Sequence, residues 1–458
     1  MTRADIIQSA CDRFDCGDFK HILARRIACR SESQNPDRHA ILRTYLEDEI
    51  RPPLESMGFT ITLLEHPAYR HVPFLIAERI EHPDLPTLLS YGHGDVVFGD
   101  KEKWREGLYP WVLAEEGDRW YGRGSADNKG QHTINLMALE QVYQARGHQL
   151  GFNCKLLFEM GEEIGSPGLA DICQHYKQQL AADIFIASDG PRLNAERPTL
   201  FLGSRGCVNF RLSIHARKQA YHSGNWGGLL SNPGTQLANA IASLVDGQGR
   251  IRIETLLPPP LTPSIQRILS SVAPGGNADD PEIDIGWGAE GFTPAERLFG
   301  WNTLEVLSFI TGNPDKPVNA IPAEATAICQ LRFVVETDWQ QLAYHVRQHL
   351  DKQGFSNVEI EILNASPATR FDPEDPLVTW ALELMQDITG KPPALLPNLG
   401  GSLPNTVFAD ILGLPTLWIP HSYPACGQHA VNEHLLKSVA REGLAIMTGL
   451  FWELGERR

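Results

Sequence analysis

The chain places His93-Gly-Asp95, Asp127, Glu162-Glu163, Asp189 and His429 each where an apolar run or a glycine-rich turn ends. Imidazoles and carboxylates brought together in this way could hold two divalent cations and leave one acid free to work on water. In an extended segment residues i and i+2 point the same way, so His93 and Asp95 share a face while Gly94 lets the backbone bend. Asp95 can then accept a hydrogen bond from the imidazole and steady it as a metal ligand. Adjacent Glu162 and Glu163 need not point alike, so one can bind metal and the other act as a base. Spacing alone does not say which. Asp127 lies in Gly122-Arg-Gly-Ser-Ala-Asp-Asn-Lys-Gly130 at the start of a long helical pattern, where the helix dipole favours a carboxylate. Taken singly each residue has an ordinary explanation: Asp127 as a helix N-cap, a histidine at a strand end as a hydrogen-bonded structural group, paired glutamates as solvated charge. The conjunction carries the argument, because acids converging on one rim repel unless cations sit among them.

The elements that must position these groups follow from periodicity. Segments 72–77, 85–91, 154–160 and 183–188 read as strands, and 128–146 as a helix with Ile134, Met137, Ala138 and Val142 on one face and Gly147 ending it. Such alternation predicts an α/β layer, in which functional groups gather at the carboxyl ends of the strands. After Gly203-Ser-Arg-Gly206 the texture changes to strand 208–215, helix 235–245, strand 327–335, helix 339–350 and strand 358–363. That order predicts an α+β sandwich inserted into the first unit. The Gly- and Asp-rich stretch 273–292 reads as an irregular excursion within a long 255–300 segment. Helix 377–388 and strand 415–419 resume the α/β texture ahead of His429. The expected division is a discontinuous catalytic domain, 1–205 plus 367–458, around a lid domain, 206–366.

Composition bounds the reading. A chain of 458 residues exceeds one ordinary core, and 42% hydrophobic with 21% charged residues is a soluble globular composition. A net charge of −16 argues against non-specific nucleic-acid binding. No run approaches the ~20 apolar residues of a membrane span, and Met1-Thr-Arg-Ala-Asp-Ile-Ile is unlike a secretory signal. Eight cysteines without a CxxC pair speak against a zinc ribbon or a disulfide framework, so a cytoplasmic protein with reduced thiols is expected.

In order and spacing, His93-Gly-Asp95, Gly122-Arg-Gly-x-x-Asp127-Asn-Lys-Gly130, Gly161-Glu-Glu163, Ser188-Asp-Gly190 and Gly427-Gln-His429-Ala-Val-Asn-Glu433 resemble the zinc metallopeptidase family of carboxypeptidase G, carnosinase-type dipeptidases, acetylornithine deacetylase and succinyl-diaminopimelate desuccinylase. The resemblance runs from about residue 70 to the C-terminus. It implies a catalytic domain with a mixed sheet between helices, interrupted by an α+β lid that mediates homodimerisation. It further implies that Asp127 bridges two metal ions, His93 and Asp189 completing one site and Glu163 and His429 the other. Glu162 becomes the general base and acid, and Asp95 orients His93. Tyr221-His-Ser-Gly-Asn-Trp-Gly-Gly228 resembles the lid motif whose histidine, here His222, reaches the partner subunit's site and steadies an oxyanion. Asn319-Ala-Ile-Pro322 and Arg332 resemble the lid segment that meets substrate, and Gly400-Gly401-Ser402 the turn that receives its carboxylate. On sequence alone His222 is a loop histidine, Arg332 a strand-surface residue and Gly400–Ser402 a tight turn.

The implied reaction is hydrolysis of an amide or peptide bond in a small carboxylate-bearing substrate by water activated between two cations roughly 3.5–4 Å apart. Zinc is the expected metal, with manganese or cobalt as alternatives. A dipeptidase or carboxypeptidase-like activity leads, with N-acyl amino acid deacylase second. A non-catalytic metal-holding protein on the same scaffold is the alternative from another class, and it would have no use for Glu162. HExxH, Gly-x-Ser-x-Gly and Gly-x-x-x-x-Gly-Lys motifs are all missing from the chain.

Overall fold

The computed structural model describes residues 1–275 and 280–457. An eight-stranded sheet runs in the order Thr60–His66, Tyr69–Arg79, Asn153–Glu159, Thr87–His93, Ile184–Ala187, Thr416–Trp418, Thr199–Phe201, Ala394–Leu396. Its centre is parallel: Thr87–His93 pairs in parallel with Asn153–Glu159 and Ile184–Ala187, and Ile184–Ala187 with Thr416–Trp418. Tyr69–Arg79 is antiparallel to both of its neighbours, which makes the sheet mixed.

Every residue of Asn153–Glu159 is buried, the mark of a central strand covered on both faces. Successive side chains go to opposite faces. Leu156 and Phe158 join a core with Ile134, Met137, Ala138 and Val142 of the helix Lys129–Ala145 and with Leu444, Met447 and Phe451 of the helix Lys437–Leu454. Leu157 joins the opposite core with Leu89, Tyr91, Phe185, Phe408 and Trp418. Each such side chain contributes about 1.5–3 kcal/mol on burial, so the sheet is clamped where the site residues leave it. The central helix stops at Arg146 as expected, with Gly147 at φ +69° taking the left-handed position that ends it.

A separate antiparallel sheet, ordered Thr303–Ile310, Glu324–Phe333, Gly206–His215, Glu359–Ser366, forms the inserted unit. In Glu324–Phe333 the buried residues alternate, with Ala325, Ala327, Cys329, Leu331 and Phe333 packed in a core with Leu237, Ile241 and Leu244 of the helix Pro233–Leu244 and Val346 and Leu350 of the helix Leu342–Lys352. Asn232 begins the first of these helices by accepting from the amides of Gly234 and Thr235, with Pro233 next in line.

Of the stretch 273–292, expected to be irregular, residues 276–279 lie outside the described residues, and the remainder holds neither helix nor strand. Its flanks are ordered: the helices Pro263–Ser270 and Pro294–Phe299 bury Ile265, Leu269, Ala295 and Phe299 in the core that holds Leu396 and Trp418 of the large sheet. Among the described residues no helix is long and apolar enough to cross a membrane.

Candidate metal centre

His93 is the last residue of its strand and is wholly buried. The chain then passes Gly94, where a Cβ would lie 2.4 Å from the Tyr45 ring and 2.8 Å from Met160 Sδ, so no larger residue fits this turn. His93 Nδ1 lies 3.2 Å from the carbonyl oxygen of Asp95 and 3.4 Å from its Oδ1. A proton held on Nδ1 by these acceptors leaves the Nε2 lone pair for a cation. Asp95 does more than orient the ring. Its two oxygens accept the backbone N–H groups of Glu162 and Glu163, each at 3.1 Å, and so fix the turn that carries the paired acids.

His93 Nε2 points into a cluster of acids, 3.1 Å from Asp127 Oδ1 and 3.7 Å from Asp189 Oδ2. The other oxygen of Asp127, Oδ2, is 3.1 Å from His429 Nε2, which lies 2.9 Å from Glu163 Oε2. Two triads result, His93, Asp127, Asp189 and Asp127, Glu163, His429, with ligand atoms in each within 4.8 Å of one another. Two donors on a tetrahedral zinc at ~2.1 Å stand roughly 3.4 Å apart, and the four separations above, from 2.9 to 3.7 Å, bracket that value. Asp127, expected as a possible N-cap, is not one: the helix begins at Lys129, with Asn128 at the cap position. The Asp127–Asn128 peptide bond is cis.

Electrostatics point the same way. Burial and the nearby Asp127 charge push Glu163 up to about 7 and Asp189 up to about 6. Burial, then the charges of Asp189, Glu163 and Asp127, hold Glu162 well above the usual carboxylate range, against the pull of His93. Burial would lower His93, but its bonds to Asp127 and Asp95 outweigh that and hold it well above an ordinary imidazole. Burial likewise opposes ionisation of Asp127, yet hydrogen bonds from His429 and His93 keep it below the normal range. Asp189 Oδ2 is buried without a hydrogen-bond partner. A donor set of carboxylates and imidazoles that are hard to ionise together, with an orphaned oxygen among them, fits a pair of divalent cations. The Glu162 carboxylate makes no hydrogen bond or ion pair among the described residues.

The remaining expected residues form two further groups. Arg332 Nη1 donates to Ser402 Oγ at 2.9 Å, and Ser402 Oγ donates to the carbonyl of Arg205 at 2.8 Å, which joins the lid strand to the 400–402 turn. A side chain at Gly401 would meet only Leu399 Cδ2, at 3.7 Å, so the space beside it is open. His222 and Asn319 are both exposed; His222 pairs with Ala320 in a short antiparallel ladder, and the next amide, Ser223 N, donates to Asn319 O at 2.9 Å. No bond among the described residues ties His222 to the acid cluster of its own chain.

Three supporting residues escaped the sequence reading. Asn128 Nδ2 donates to Ser188 O at 2.8 Å and Gln131 Nε2 to Ala126 O at 2.9 Å, which lashes the Asp127 loop to its surroundings. Asn128 is the cap of that helix and Gln131 lies in its first turn, and both are buried polar side chains. Glu159, wholly buried, accepts from Tyr91 Oη at 2.7 Å and Ser166 Oγ at 2.9 Å, and burial pushes it up to about 7. An acid closing an apolar run two residues before Gly161 could have marked it.

Comparison with known proteins places this geometry. The model for peptidase family M20/M25/M40 matches residues 89–453. Cysteinylglycine-S-conjugate dipeptidase of Corynebacterium striatum is 28% identical over 371 residues, covering 77% of this chain and 77% of that protein. Beta-Ala-His dipeptidase of Mus musculus is 26% identical over 409 residues, covering 84% of this chain and 80% of that protein. Among solved structures, the M20 family metallo-carboxypeptidase Sso-CP2 from Sulfolobus solfataricus superposes with a TM-score of 0.79 at 25% identity, covering 96% of this chain and 99% of that one. Human carnosine dipeptidase 1 shares the fold with a TM-score of 0.79 at 21% identity, covering 100% of this chain and 99% of that one.

Proposed function

Because the chain belongs to peptidase family M20/M25/M40, a family of hydrolases, we propose that it is a two-metal dipeptidase in which Glu162 is the general base. The observation that carries this reading is the pair of ligand triads meeting at Asp127, with an unengaged glutamate next to them. His93, Asp127 and Asp189 would hold one cation and Asp127, Glu163 and His429 the other. When bound, two zinc ions, or manganese or cobalt in their place, supply Lewis acidity that polarises the scissile carbonyl and acidifies water.

The chain's own groups do the rest. Glu162, as the carboxylate, takes a proton from the attacking water and returns it to the leaving amine, and its buried surroundings raise its affinity for the proton it carries between the two steps. Asp95 keeps the Glu162 turn and the His93 ring in register. Arg332 grips the substrate's free carboxylate beside Gly401 and Ser402, and Asn319 meets the substrate from beside the segment that carries His222. Residues 1–205 and 367–458 act as the catalytic unit and 206–366 as the lid.

His222 donates to the developing oxyanion in the partner subunit of a homodimer formed through the lid. Supporting this, His222 is exposed and unattached to its own acid cluster, and the lid's edge strand Thr303–Ile310 exposes Val306, Leu307, Phe309 and Ile310. Substrates are dipeptides, in keeping with the two dipeptidases to which the chain is similar. A cytoplasmic location agrees with the free cysteines.

The test is a panel of dipeptides, N-acetyl amino acids and N-succinyl amino acids, assayed before chelation, after it and after zinc add-back. Dipeptide hydrolysis that disappears and returns with metal supports the reading. Cleavage confined to N-acyl amino acids makes the chain a deacylase, and metal uptake without hydrolysis of any substrate makes it a binding protein.

A further inference from the structure

Within the loop that carries Asp127 the backbone bonds to itself at Ser125 N to Gly122 O, 3.1 Å, and where the helix begins at Gly130 N to Gly124 O, 3.2 Å. Between the strand Arg119–Tyr121 and the helix Lys129–Ala145 the backbone follows no regular element. The N–H groups of Gly124, Ala126 and Asp127 instead converge on one side chain. Glu433 Oε2 accepts from Gly124 N at 2.9 Å and from Arg123 Nη1 at 2.8 Å; Oε1 accepts from Ala126 N at 2.9 Å and Asp127 N at 3.0 Å. The carbonyl of Glu433 also accepts from Gly122 N at 3.0 Å. Glu433 is 1% exposed and Arg123 2%, so water cannot replace these bonds. Glu433 lies only four residues beyond His429 and one before the strand His434–Leu436, which pairs with Arg119–Tyr121.

We infer that Glu433 is a positioning residue for the metal centre: it moulds the Asp127 loop and ties it to the loop bearing His429 before any cation arrives. This rests on the reading of two metal sites sharing Asp127. The physical reason is the demand on that one carboxylate. Asp127 must aim Oδ1 at the His93 side and Oδ2 at the His429 side at once, and only a loop with a fixed backbone holds both directions. With the Glu433 carboxylate removed, buried amides lose their acceptor and the Arg123 guanidinium is left buried and unpaired. A merely architectural role for Glu433 would lower thermal stability and leave the zinc affinity of folded molecules unchanged.

The experiment is a calorimetric zinc titration of the metal-stripped full-length chain, as wild type, Glu433→Gln and Glu433→Asp, with circular dichroism on each. Glutamine presents N–H groups to N–H donors, and aspartate keeps the charge but falls one methylene short. The inference predicts native-like spectra with affinity at both sites weakened ~10–100-fold. A folded variant of either kind that binds two zinc ions as tightly as wild type overturns it. A wild-type chain that takes up fewer than two zinc ions overturns the metal reading itself, and this inference with it. Hydrogen exchange on the wild type gives a readout independent of the variants. The amides of Gly124, Ala126 and Asp127 should be protected equally in metal-free and zinc-loaded protein, and rapid exchange in the metal-free state would overturn the inference.

Discussion

Zinc binding to this chain should expel protons, because several of the groups that would hold it are raised in the metal-free protein. In the metal-free protein His93 is held well above an ordinary imidazole and His429 is raised to about 11 by its hydrogen bonds to Asp127 and Glu163, so both are protonated at neutral pH. Water around His429, whose side chain is 59% exposed, screens these partners, so its contribution is counted as one proton at most. Glu163, raised to about 7, is about half protonated at pH 7, and Asp189, raised to about 6, is mostly ionised. Metal ligands must give up their protons to bind, so affinity rises with pH and falls as these groups are protonated. Loading both sites at pH 7 should release at least one and at most about two and a half protons from the ligands, and more if Glu162 ionises beside the cations. The overall two-zinc binding constant should then grow at least ~10-fold per pH unit near neutrality. Calorimetry in buffers of different ionisation enthalpy counts the protons directly. Release of fewer than one proton, or a binding constant flat between pH 6 and pH 8, would refute the assignment of these side chains as ligands.

Replacing Glu162 with Gln should lower kcat by ~10²–10⁴ while zinc stoichiometry stays at two, read by steady-state kinetics alongside metal analysis. Arg332→Ala removes a charge-assisted contact and should raise KM for a free-carboxylate dipeptide ~10–100-fold, with a much smaller effect on an amidated analogue. His222→Asn should impair kcat with zinc uptake unchanged. Mixing that variant with Glu162→Gln under subunit exchange should restore roughly a quarter of wild-type activity if the histidine serves the partner's site, and none if it does not.

Much of this was legible because the strands that deliver the site are central. Segments buried on both faces read as unbroken apolar runs, so 154–160 and 85–91 fall within one or two residues of Asn153–Glu159 and Thr87–His93, and His93 closes its strand as anticipated. The expected convergence of His93, Asp127, Glu163, Asp189 and His429 is what the coordinates contain. The work of Asp95 was only half visible. Alternation along an extended segment points it at His93, but its grip on the amides of Glu162 and Glu163 is a contact across 67 residues that no local pattern encodes. The same holds for Glu433, more than 300 residues from the amides it accepts. The 255–300 segment falls within the expected lid, 206–366, yet its helices pack on the core of the large sheet because their apolar stripes, led by Ile265, Leu269 and Phe299, find that surface. A short amphipathic helix announces that it must pack, not against what.

A two-metal site of this kind requires Asp127 to sit between two cations with Glu162 free beside them. Anomalous diffraction from zinc-soaked crystals tests it directly. Two zinc peaks are expected roughly 3.5–4 Å apart, one contacting His93, Asp127 and Asp189, the other Asp127, Glu163 and His429, with Glu162 bound to neither. A single peak, or zinc ligated by Glu162 in place of Glu163, would contradict it.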